Sequence, residues 1–168
     1  MKRITMLVCC GLPALGLVAP TNAEVVTDAA MTQVLLDVMV APIHSKAELD
    51  RYLVRNPDSP IHGLGDADKQ SFLSSLVFSG RGLASYSYLE LEGRPASEVY
   101  RILALFGLQS ESGSIRRRRS LSAEDRMVES GLRSARPPRR LDQGCWVTPY
   151  RPGRCHHDPG HECSALCP

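Results

Sequence analysis

The sequence predicts a mainly α-helical protein: a small helical domain, then a basic linker, then a short, loop-rich C-terminal module stapled by disulfides. Three observations predict it. Apolar residues recur at helical spacing between positions 29 and 106. From Ser110 the composition turns to serine, arginine and proline. The last 28 residues hold four of the six cysteines and have little else to bury.

Residues 1–23 read as a signal peptide. Lys2 and Arg3 precede an uncharged apolar run from Ile4 to Val18, and Thr21-Asn22-Ala23 suits a signal peptidase, so a mature start at Glu24 is expected. That run is shorter than the roughly 20 residues a membrane-spanning helix needs. Lipidation at Cys9 or Cys10 is not expected, because neither Val8 nor Cys9 is the small residue such a site requires. The chain is thus expected to be secreted or periplasmic, with no membrane span after cleavage.

Removing 23 residues from 168 leaves 145, with 18 basic and 18 acidic side chains. The charge is uneven: residues 24–115 carry 7 basic and 12 acidic groups, and residues 116–168 carry 11 basic and 6 acidic. The basic half is suited to an anionic partner or to the acidic half itself.

Residues 24–109 form the expected helical domain. Ala29, Ala30, Met31, Val34, Leu35, Val38 and Met39 mark a first helix that Pro42 ends. Ser45 and Glu48 have capping-box spacing for a second, which stops at Asn56-Pro57. Asp66 is the expected cap of a third, with Phe72, Leu73, Leu76 and Val77 inward and Gly80 at its exit. Pro95 is the expected first residue of a fourth, which runs to Gly107. Tyr86 and Tyr88 alternate with serines at period two, a pattern open to a strand or an irregular connection.

Residues 110–140 read as a flexible Ser/Arg/Pro-rich basic linker, with a short helix that Ser122 caps. Arg116 to Arg119 and Arg139-Arg140 offer protease-sensitive points within it. Nucleic acid is not an expected partner, because no aromatic residues interleave with these arginines.

Residues 141–168 cannot fold by apolar burial alone. In an oxidising compartment Cys145, Cys155, Cys163 and Cys167 are expected to form two disulfides, and three connectivities are open. No cofactor is expected. The alternative is zinc held by the tail, with His156, His157 and His161 as ligands.

Catalysis finds no motif to stand on. His161-Glu162 begins a zinc-protease pattern, but Ala165 stands where the second histidine is needed. Bridged cysteines supply no thiolate. Asp66-Ala-Asp68 departs from a calcium loop at Gln70-Ser71, and no Gly-x-Ser-x-Gly turn occurs. The sequence therefore favours a non-enzymatic binding protein that acts through its C-terminal module on a protein or an anionic surface. Trp146, Tyr150, Arg151 and Arg154 are the expected contacts. Two alternatives stand beside it: a precursor of a cysteine-rich peptide released at dibasic sites, and a metal-binding protein or metalloenzyme.

Overall fold

The computed structural model describes residues 32–116, 122–134, 141–148 and 151–168; of residues 133, 134, 151 and 152 it describes the backbone. The expected signal peptide, Ala29 to Met31, Arg117 to Arg119, Arg139, Arg140 and Tyr150 lie outside the described residues.

Helix α1 covers 32–40 and stops short of Pro42, as its periodicity requires. Helix α2 (Lys46–Arg55) starts at the expected cap, with Ser45 Oγ accepting from the Glu48 amide at 3.3 Å. Glu48 turns back to accept from His44 N at 2.7 Å, one residue beyond the box partner. Helix α3 (Asp66–Ser75) has Gly65, not Asp66, at its N-cap. Asp66 and Asp68 sit in its first turn, where carboxylates favour the helix dipole, and they pair with Lys69 and Arg94.

Helix α4 (Ala96–Ala104) follows Pro95, which is its cap rather than its first residue and cannot cap with a side chain. Asp125 of helix α5 (Ala123–Ser134) supplies the missing acceptor. Its Oδ1 takes the Ser97 amide at 3.0 Å and the Ser97 hydroxyl at 2.8 Å, while its Oδ2 takes Ser122 N. One buried aspartate thus serves two helix starts.

The expectation of a mainly α fold is overturned. The protein is mixed α/β, with a four-stranded antiparallel sheet of order β1-β2-β4-β3: β1 (Val77–Ser79), β2 (Gly82–Ser87), β3 (Leu141–Thr148) and β4 (Arg151–Cys163). The tail expected to be loop-rich is a two-stranded ribbon instead. The physical reason lies in backbone hydrogen bonding. The stretch from Cys155 to Cys163 is too polar to read as a strand, yet its main chain is paired on both sides, by β2 and by β3. Residues 110–114, expected to be flexible, lie in a 3₁₀ segment (Gln109–Ser114) with Glu111 and Ser112 buried. Gly80 falls in the β1–β2 turn, because Ser75 already ends α3 and Val77 starts β1.

The core lies between the helices and the sheet. Ile43, Leu49, Phe72, Leu83, Tyr86, Val99, Ile102, Leu103, Phe106 and Leu108 are fully buried or nearly so, and Leu166 of the tail joins them. Phe72 meets Tyr86 edge to face at 6.4 Å. The chain end is fastened to β2: Ser164 N donates to Ala84 O, and Ser164 Oγ donates to Leu83 O at 2.7 Å.

Candidate functional site

Antiparallel pairing sets which side chains share a face of the ribbon. Cys145 stands opposite Cys155, and Trp146 stands opposite Arg154. Successive side chains alternate between faces, so the sulfurs turn one way and the Trp146–Arg154 pair the other.

On the inner face, Cys145 bonds Cys167 and Cys155 bonds Cys163. The four residues pack around Ala84 of β2. The Sγ atoms of Cys145, Cys163 and Cys167 lie within 4.8 Å of one another, a spacing suited to a soft metal if they were thiolates. Bonded in pairs, they offer no thiolate. Gly153 lets the backbone come close: a Cβ there would sit 3.2 Å from Cys145 Sγ and 3.3 Å from Cys167 Sγ.

On the outer face, Trp146 is 70% exposed and its ring centroid lies 5.9 Å from that of His156. Arg154 and His156, two residues apart on β4, are exposed too. Asp158 lies between two histidines, 3.3 Å from His161 Nδ1 and 4.0 Å from His156 Nε2. The structure therefore brings Trp146, Arg154 and His156 together. Tyr150 and the Arg151 side chain lie outside the described residues. Strand β3 pairs only with β4 and forms one edge of the sheet.

Two polar groupings escaped the sequence reading. In the first, the buried Tyr86 hydroxyl reaches Glu162 Oε2 at 3.1 Å and Glu111 Oε2 at 3.3 Å. Burial, then the two carboxylates, pushes this phenol far up, so it stays a donor. In the second, Asp142 forms a bulge with φ 58°, a backbone aspartate tolerates better than most residues. Its Oδ1 accepts from Tyr88 OH at 2.7 Å and from Gly160 N at 3.1 Å, which fixes the start of β3. The period-two tyrosines were the visible signal; their carboxylate partners, 25 to 76 residues away, were not.

The hydrogen bond to Asp142, followed by burial, pushes the Tyr88 phenol up to about 12, and the same bond lowers Asp142. A raised phenol stabilises the fold below its ordinary value of 10.0, and the contribution is lost as pH climbs from there through about 12. The lowered carboxyl contributes above its ordinary 3.8 and is lost on acidification below it. Ultraviolet titration checks the assignment: Asp142→Ala should return one late-titrating phenol toward 10.

Glu90 accepts from Ser71 at 2.6 Å and Ser87 at 2.5 Å; burial raises its pKa, and the two hydroxyls outweigh that and lower it. A groove of about 470 Å³ between α1, α4 and α5 is mainly apolar, with Tyr100, Met127, Val128 and Leu132 in its wall. No helix among the described residues is long and apolar enough to cross a membrane. Comparison of the chain with protein-family models, with curated proteins and with solved structures finds no match.

Proposed function

We propose that this is an exported, non-enzymatic binding protein that engages a macromolecule through the outer face of the β3–β4 ribbon. The observation that carries the reading is Trp146, an indole 70% exposed on a ribbon that two disulfides clamp from behind. A rigid aromatic group loses little freedom on contact, and tryptophan and arginine dominate the energetics of interfaces where they occur. Arg154, directly across the ladder, adds a charge suited to a carboxylate-bearing protein or an anionic surface. The disulfides are compatible with an oxidising, extracytoplasmic setting.

Release of the tail as a free peptide fits this geometry less well. Cleavage at Arg119 or Arg140 would leave Leu166 in the core and β4 paired with β2. The severed tail would stay attached.

The test is partner capture from the native extracytoplasmic fraction, followed by affinity measurement on the partner recovered. Trp146→Ala with Arg154→Ala should weaken binding by about 30-fold or more, equivalent to roughly 2 kcal/mol. Both side chains are exposed, so unfolding should shift by no more than about 0.5 kcal/mol. Unchanged affinity in the double variant would refute the assignment of this face.

A further inference from the structure

The two bridges of the ribbon lie against each other, and that juxtaposition carries an inference independent of the partner face. The Sγ atoms of Cys145, Cys163 and Cys167 all lie within 4.8 Å of one another, so the Cys163 sulfur approaches both sulfurs of the neighbouring bridge. The backbone builds this crowding. Ala84 of β2 gives the sulfurs a small, fully buried floor, and Gly153 lets β4 close over the Cys145–Cys167 bridge.

The two ends of each bridge differ in access. Cys145 and Cys163 are 4% and 1% exposed, whereas Cys155 and Cys167 are only half-buried. An incoming thiolate therefore meets the Cys155 sulfur before that of Cys163. Attack there expels Cys163 as a thiolate into an apolar pocket, beside a second disulfide. A thiolate so poorly solvated exchanges rather than persists. If it attacks the Cys145 sulfur, the charge moves to Cys167, nearer to water. Attack on Cys167 would leave the charge buried on Cys145, so solvation selects the first route. Entry at Cys167 converges on the same bond: it expels Cys145, which attacks Cys163 and expels Cys155.

We propose that the paired bridges form a thiol–disulfide exchange site for an external dithiol, and that the reaction leaves Cys145 bonded to Cys163 with thiols at Cys155 and Cys167. One sulfur of the dithiol bonds Cys155 as the Cys155–Cys163 bond breaks. Cys163 then bonds Cys145 as the Cys145–Cys167 bond breaks. The second sulfur of the dithiol closes its own disulfide and releases Cys155. Two electrons pass from the dithiol to the protein, and its two protons end on Cys155 and Cys167. The new bond still ties β3 to the last residue of β4, while Ser164 and Leu166 still fasten the chain end. The fold is kept, and two thiols become reachable.

The experiment treats the oxidised full chain with one equivalent of dithiothreitol, quenches with acid, blocks free thiols with a maleimide and maps the molecules that retain a single bridge. Cys145–Cys163 should be the majority bond, with the label on Cys155 and Cys167. In guanidinium chloride the preference should vanish, because it depends on the folded spacing. A second arm needs no reductant: Cys155→Ser frees the Cys163 thiol, and the purified variant should carry Cys145–Cys163 with Cys167 labelled. Any other bond as the majority single bridge, a preference that survives denaturant, or an intact Cys145–Cys167 bond in Cys155→Ser would each overturn the proposal.

Discussion

Replacing Cys145 and Cys167 together by alanine is expected to cost about 3 kcal/mol of folding stability, the value that chain entropy assigns to closing a loop of this length. The bond spans 22 residues, whereas Cys155–Cys163 spans 8, for which the same relation yields about 2.5 kcal/mol. Position widens the difference. Cys145 is buried against Ala84, and Cys167 fastens the chain end beside Leu166, itself part of the main core. Without this bond the edge strand β3 keeps its ladder to β4 and, at its start, the bonds of Asp142 to Tyr88 and Gly160. Thermal unfolding under non-reducing conditions should show a fall of roughly 10 °C for the Cys145/Cys167 pair and less for the Cys155/Cys163 pair. The reverse order would mean that the ribbon is held chiefly at its Cys155 end.

Gly107→Ala should destabilise by roughly 3–5 kcal/mol, combining left-handed strain with overpacking. Gly107 has φ 74°, and a Cβ there would lie 2.5 Å from Val38 Cα and 2.6 Å from Val38 N. Both are backbone atoms of α1, which no rotamer change can move aside. Either α1 leaves its seat or the α4 exit reorganises. Gly93 is the matching control, since it has φ 72° but open space around its Cβ position. Gly93→Ala should therefore cost only the conformational term, about 1 kcal/mol. Chemical denaturation of the two variants separates strain from clash, and hydrogen exchange in 32–40 should rise in the first alone. Equal losses would show that α1 does not press on Gly107.

The helices were legible because their signals are local. Ser45 and Glu48 lie three residues apart, and the start of α2 followed from that spacing. The sheet was not legible, for reasons visible strand by strand. Strand β2 was legible only in part: the serines and tyrosines from Ser85 alternate at period two, as a strand requires, but all six residues from Gly82 to Ser87 are buried, so no solvent-facing side marked the strand's extent. Strand β4 contains Pro152, Gly153, Pro159 and Gly160, which read as loop, and becomes a strand because the adjoining β3 and the distant β2 hydrogen-bond to it. The cysteines were legible as a set, but their pairing depends on a register that composition does not encode. Trp146 and Arg154 were chosen for their chemistry; that they face each other, with His156 beside the indole, is a property of the ladder. Asp158 passed unnoticed because its partners are set by strand geometry rather than by a recognised spacing.

Peptide mapping of the unreduced protein by mass spectrometry tests the central claim most directly, namely that this register joins the ribbon to the helical core and sets which sulfurs meet. The structure requires one linked pair joining Cys145 to Cys167 and a second joining Cys155 to Cys163. Linkage of Cys145 to Cys155, or free thiols at these four positions in protein from its native compartment, would contradict it.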